Sequence, residues 1–251
     1  MRGILLLLGV YLACAAPAAA QSPDERIGAP FVDRFAAFDT ARWRASDRWP
    51  PEAIFSTAWR PSQVQATPAG LVITLAATPE ADAPKPYMSG EISTREEFRY
   101  GYFETRLRAV RGGGIVSGFF TFSLPRSPNT ENEIDMEITG NATRQIELVY
   151  HVNGRHIRHI HRLGFDASED FHTYAFAWRG NSIRWYVDNR LVHTSRAHVG
   201  ELIRPQQIFT SMWNSVRMPR WLGPFDPAGA PHAMTVACIA YAPRYSGRPL
   251  C

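Results

Sequence analysis

Three acids occupy every second position of the segment NEIDMEITG, residues 132–140: Glu133, Asp135 and Glu137, with Ile134, Met136 and Ile138 between them. Strict alternation is the period of a β-strand, whose successive side chains point to opposite faces, so the carboxylates share one face and the apolar residues the other. Like charges at that spacing repel, and burying them together costs more unless they hold a cation or a proton. Three uses of such a triad compete. A solvated strand face is disfavoured, because acids are poor strand formers and neighbours of one sign repel. Calcium takes about six to eight oxygen ligands, many of them from turns, and an extended strand supplies these badly. A glycosidase needs one carboxylate to attack or stabilise the anomeric carbon and another, kept protonated, to protonate the leaving oxygen. Asp135 suits that chemistry, since an acid between two others can raise the proton affinity of one and orient the other. At roughly 3.3 Å per residue the Cα atoms of Glu133 and Glu137 lie about 13 Å apart. Side chains leaning together would bring the carboxyls to about 5–9 Å, an interval that spans both the retaining and the inverting geometry.

The elements that must hold these acids are strands. Short alternating or aromatic runs recur: GLVITLAAT, YGYFETRLRAV, GIVSGFFTFSL, IELVYHVNG, TYAFAWRG, SIRWYVDN and RLVHTS, separated by turn signals such as RGGG, PRSPNT, VNGR, RGNS and VDNR. This spacing predicts an all-β antiparallel sandwich or barrel. In YGYFETRLRAV the set Tyr102, Glu104, Arg106 and Arg108 lies opposite Phe103, Thr105, Leu107 and Ala109, so at least one sheet face carries a polar and aromatic lining. The segment SRAHVGELIRPQQ has room for one helical turn, limited by Pro205.

The segment EIDMEITG resembles the catalytic strand of glycoside hydrolase family 16, whose Glu-x-Asp-x-Glu pattern lies on a strand of a curved jelly-roll sandwich. The likeness runs from about Phe31 to Pro227, through FVDRFAAFDTARW, FSTAWRPSQV, SGEISTREEFRYGYFETRLRAVRGGGIVSGFFTF, LGFDASEDFHTYAFAWRGNSIRWYVDNRLVHT and SMWNSVRMPRWLGPFDP. Within the family it is lichenase-like, similar to the bacterial β-1,3-1,4-glucanases. The resemblance implies Glu133 as nucleophile, Glu137 as general acid and base and Asp135 as the residue that tunes them, with net retention and no cofactor. It also implies a jelly-roll β-sandwich of two curved antiparallel sheets. Substrate contacts would come from Glu91 in SGEIST, Phe122 in FFTF, His151 in YHVNG and Trp213 in SMWNS. Aromatic platforms suit the flat C–H faces of sugar rings, and polar groups fix the hydroxyls. Trp178 and Trp185 read as core aromatics. A surface ion pair with a nearby arginine is the other reading of Glu91.

Departures from the resembled pattern concern the substrate and stability more than the chemistry. Glu131 stands where the glucanases carry a tryptophan; Glu147, Val149 and His151 stand for their glutamine, asparagine and tyrosine; Ser93 and Ser211 replace an arginine and an asparagine. Thr57 and Ser89 occupy their disulfide positions, and Ala237 stands where their structural calcium takes an aspartate, which argues against a bound calcium; no metal is expected at the site. The expected activity is a retaining endo-β-glycanase acting on a β-1,3/1,4-linked glucan or a related bacterial exopolysaccharide. A transglycosylase on the same polymers and a non-catalytic lectin-like module are the alternatives. A lectin would be expected to have lost Glu133 or Glu137.

Composition and the N-terminus bound the rest. The chain has 251 residues, a formal charge of +4 and one lysine, Lys85, beside scattered arginines, so no basic stripe marks a nucleic-acid partner. Residues 1–20 read as an export signal: Arg2, the apolar run ILLLLGVYLACAA, and the small residues AAA before a cleavage point near Ala20. The expectation is a single mature domain over residues 21–251, monomeric, secreted or periplasmic in a bacterium, with a polysaccharide as its partner and no membrane contact beyond export. Cys14 raises lipid attachment as an alternative, in a poor sequence context. Two other cysteines, Cys238 and Cys251, can pair in an oxidising compartment if geometry allows.

Overall fold

The computed structural model describes residues 27–124, 130–229 and 232–251. The export signal, its cleavage point and Cys14 lie outside the described residues. In chain order the strands are β1 (Phe31–Asp33), β2 (Trp43–Ala45), β3 (Thr57–Trp59), β4 (Val64–Thr67), β5 (Gly70–Ala77), β6 (Tyr87–Ser89), β7 (Glu91–Thr94), β8 (Gly101–Arg108) and β9 (Ile115–Phe122). They continue as β10 (Asn132–Thr139), β11 (Gln145–Val152), β12 (Arg155–Arg162), β13 (His172–Arg179), β14 (Ser182–Val187), β15 (Arg190–Ser195), β16 (Gln207–Asn214) and β17 (His232–Ala242), with one short helix, α1 (Pro219–Leu222). The turn sought in SRAHVGELIRPQQ is a single 3₁₀ turn, Val199–Glu201, ending before Pro205.

Two sheets form a jelly-roll sandwich. One has seven strands in the order β12-β11-β10-β9-β16-β7-β2; the other has ten, with the path β15-β14-β13-β8-β17-β5-β6-β3 and β1 and β4 added on β17 and β5. All pairings are antiparallel except β3 with β6. Asn153 and Gly154, and again Asp188 and Asn189, take positive φ in the turns between β11 and β12 and between β14 and β15. Those tight turns fit the right-handed twist of the strands they join.

Alternation decides what each sheet buries. Ile134, Met136 and Ile138 of β10 are at most 2% exposed and join a core with Phe119, Phe176, Trp178 and Trp185. Phe119 of β9 meets Phe176 of β13 across the sandwich at 6.0 Å between ring centroids. Each such buried side chain contributes about 1.5–3 kcal/mol, so the apolar half of the NEIDMEITG pattern anchors the strand that carries the acids. The end of β10 is locked as well: a Cβ on Gly140 would lie 2.2 Å from the Gly112 carbonyl oxygen, so the turn after the strand packs backbone to backbone against the RGGG loop.

The alternating face of β8 has a different fate from a cleft lining. Tyr102 and Glu104 lie on the outer side of the ten-stranded sheet, and Tyr245 and Leu250 of the C-terminal tail pack over Tyr102, Ala175, Ala177 and Tyr186. The tail is fixed by a disulfide between Cys238 and Cys251, whose Cα atoms are 5.8 Å apart. Among the described residues no helix is long and apolar enough to cross a membrane.

Candidate active site

Strand register assembles the site. On β10 and its neighbours Glu133 stands opposite Phe122 and His151, Asp135 opposite Phe120 and Val149, and Glu137 opposite Gly118 and Glu147. The same face continues through Ser211 and Trp213 on β16 and Glu91 on β7, because Ser211 pairs with both Gly118 and Glu91. This face is the outward one of the seven-stranded sheet. It floors a cavity of about 560 Å³ lined by the three acids together with Glu91, His151 and Trp213.

Phe122 is the exception among the expected contact residues. It is 4% exposed, lies edge-on to Phe209 at 6.5 Å and is absent from the cavity wall. Phe120, two residues earlier on the same face and in Asp135's register row, lines the cavity instead and stacks on Phe209 at 5.0 Å. The period-two pattern of FFTF allows both residues; only the position of the acids along the strand distinguishes them.

The electrostatics divide the acids. Burial, then the charges of Glu133 and Glu137 and a hydrogen bond to Glu133, raise the proton affinity of Asp135 well above the usual carboxylate range. The direction is that of an acid crowded by two others on one buried face. The other oxygen of Asp135, Oδ2, is buried without a hydrogen bond and lies 3.8 Å from His151 Nε2. Glu137 is pushed up to about 8, first by burial, then by Glu133 and Glu147, against the opposing charge of Arg158. It therefore holds its proton at neutral pH. Burial and the neighbouring His156 push His151 down to about 4, so it is a neutral imidazole beside the acids and not a cation.

Glu91 fits both of its readings. It is 2% exposed at the cavity wall, accepts a hydrogen bond from Ser46 Oγ at 2.7 Å and pairs with Arg48 at 3.2 Å. Trp213 is part of an aromatic wall that sequence reasoning saw only in part. Phe55 meets Trp59 at 5.2 Å and Trp213 at 5.1 Å, and Trp213 meets Trp221 of α1 at 5.9 Å. Phe55, Trp59 and Trp221 belong to FSTAWRPSQV and SMWNSVRMPRWLGPFDP, segments already distinctive in sequence; nothing in their spacing reveals that the β3 segment, β16 and α1 converge.

Glu133, Asp135 and His151 each place one donor atom within 4.8 Å of the others, the one such group of three among the described residues. Two oxygens and a nitrogen fall far short of calcium's oxygen shell. The site is a groove with an aromatic wall, floored by one acid that keeps a proton at neutral pH and, four residues before it on the same strand, another acid.

Known proteins carry the same arrangement of segments. The glycosyl hydrolases family 16 model matches residues 52–230. A β-glucanase of Acetivibrio thermocellus is 37% identical over 227 residues, covering 90% of this chain and 66% of that protein, so the chain spans just under two thirds of that relative's length. A β-glucanase of Brevibacillus brevis is 34% identical over 242 residues, covering 95% of this chain and 92% of that one. The structure of a Bacillus licheniformis β-glucanase superposes with a TM-score of 0.79 at 31% identity, over 86% of this chain and 98% of that chain. On sequence, fold and the strand that bears the acids, the chain belongs to glycosyl hydrolases family 16.

Proposed function

We propose that the protein is a retaining endo-β-glucanase that hydrolyses a β-1,3/1,4-linked glucan or a related exopolysaccharide, with Glu133 as nucleophile and Glu137 as acid and base. The observation that carries this reading is the row of three acids on one strand face at the floor of the groove, in which burial beside Glu133 and Glu147 pushes Glu137 up to about 8. In the first step Glu137 gives its proton to the glycosidic oxygen as a Glu133 oxygen bonds to the anomeric carbon, and the shortened chain leaves with that proton. In the second step Glu137, now a carboxylate, takes a proton from water as the water oxygen bonds to the anomeric carbon, and the ester to Glu133 breaks. Asp135, beside Glu133 on the same face, orients the Glu133 carboxylate. Trp213 and Phe120 stack on sugar faces, and Glu91 and neutral His151 fix hydroxyls. The steps draw on carboxylates alone and need no cofactor.

The β-glucanase names of the relatives support the substrate class, and the groove suits a polymer. The leader reading of residues 1–20 supports an exported protein, secreted or periplasmic, acting as one monomeric catalytic unit over residues 21–251. The test is the anomeric form of the first products. Proton NMR during digestion of a mixed-linkage β-glucan should show the β-anomer first; initial release of the α-anomer would replace the ester mechanism with single displacement.

A further inference from the structure

Glu137 has a second acid directly across the sheet. In the pairing of β10 with β11 it stands opposite Glu147, and both side chains line the cavity. Directly opposed residues place their Cβ atoms about 5 Å apart, and like charges there destabilise the pair. The fold retains the arrangement and holds Glu147 from two sides. Trp221 Nε1 donates to Glu147 Oε1 at 2.8 Å, and Arg158 Nε lies 2.9 Å from Oε2. Arg158 stands opposite Val149 on β12 and reaches diagonally to Glu147, whose side chain is 4% exposed. With each oxygen engaged by a donor, the Glu147 carboxylate is held in place and is not free to turn toward Glu137.

The geometry points to Glu147 as a positioning residue for Glu137: a clamped negative charge that keeps the proton donor loaded and ties the Trp221 end of the aromatic wall to it. The inference rests on the reading of Glu137 as acid and base. Few other groups face Glu137. Its own strand contributes Glu133 and Asp135, β11 contributes Glu147 and the neutral His151, and β12 contributes Arg158 and, opposite His151 on the same cavity wall, His156. The neighbouring positions of β9 and β16 are Gly118, Phe120 and Ser211, none of them titratable, and Glu91 of β7 is tied to Arg48. Among these, Glu133 and Glu147 hold the proton on Glu137 and Arg158 opposes them. A glutamine at 147 would keep the acceptor for Trp221 and remove the charge.

The test is the pH profile of kcat/KM on a mixed-linkage β-glucan for the parent protein, Glu147→Gln and Arg158→Gln, with folding checked by circular dichroism. In Glu147→Gln the alkaline limb is expected at lower pH, with activity near pH 8 reduced about threefold or more and a smaller loss on an aryl glycoside whose leaving group needs no proton. Arg158→Gln should move the same limb the other way. Opposite displacements are not expected from a merely structural role, and Arg158→Gln remains readable if Glu147→Gln does not fold. An alkaline limb that stays in place in both folded variants, or moves in the reverse sense, overturns the inference. Glu137→Gln separates the two levels: it should lose activity on the polymer and spare the first step on the aryl glycoside, and equal losses on both would bring down the acid assignment itself instead of the role of Glu147.

Discussion

Glu104 on β8 and the acids on β10 sit on strands of similar pattern, YFETRLR and NEIDMEI, each alternating acid or polar side chains with core residues. Their charges are handled in opposite ways. Glu104 is completely buried and accepts three hydrogen bonds, from Tyr102 Oη at 2.7 Å and from the backbone N–H groups of Leu250 and Cys251 at 2.8 and 2.6 Å. The tail that supplies two of these donors is closed by the Cys238–Cys251 disulfide. On β10 the acids open into a cavity, Asp135 Oδ2 has no hydrogen bond, and burial beside Glu133 and Glu137 raises the proton affinity of Asp135 where donors surround Glu104. A carboxylate surrounded by donors is structural; carboxylates left to compete for protons are available for chemistry.

The largest effects should come from the β10 acids. Glu133→Gln is expected to leave the fold intact and lower turnover on β-glucan by about four orders of magnitude, as on removal of a covalent nucleophile. Steady-state kinetics check this, and unchanged activity would remove Glu133 from the mechanism. Glu137→Gln should lose activity on the polymer but retain the first step on aryl glycosides with good leaving groups; equal losses on both substrates would contradict its acid role.

The same variant sharpens the contrast through stability. Glu137 moves from 4.5 in its unperturbed state to about 8 in the fold, so the native state binds the extra proton between those values. Its contribution to stability is fully present below about pH 4.5 and is lost as the pH rises through about 8. Glu137→Gln should therefore raise Tm at pH 9 relative to the parent and flatten the decline in Tm across that window. A lower Tm at every pH would show that the carboxylate is satisfied in the way Glu104 is.

Glu104→Ala tests the other side of the comparison. It strands a buried hydroxyl and two backbone donors and should cost about 3 kcal/mol in denaturant unfolding, with kcat per folded molecule unchanged. Cys251→Ser, which releases the tail but leaves its hydrogen bonds, should cost about 2 kcal/mol. With Ala237 in place of an aspartate, a chelator is expected to leave Tm where it is; a fall would reveal a stabilising cation.

Much of this was legible in sequence because it rests on local period and turn chemistry. The alternation of NEIDMEITG placed three acids on one face, and VNGR and VDNR marked two tight turns. The strand RHIRHIHR, β12, was harder to see: as a sheet-edge strand it carries charge and histidine on both faces, which masks its alternation, yet it supplies Arg158 to the site. Sequence reading named Phe122 and passed over Phe120, because the register with β10, a long-range property, decides which of two same-face aromatics meets the groove. The outer face of β8 carried polar and aromatic residues for a partner far along the chain, the C-terminal tail. The clamp on Glu147 joins β11, β12 and α1, and no local pattern announces a contact of that kind.

The division of labour between the acids of β10 is tested most directly by trapping the intermediate. The protein would be incubated with a 2-deoxy-2-fluoro glycoside bearing a good leaving group, digested and analysed by peptide mass spectrometry. The expected result is one glycosyl adduct, on the peptide containing NEIDMEITG and located at Glu133. An adduct at Glu137, or turnover to the inverted product with no adduct, would contradict it.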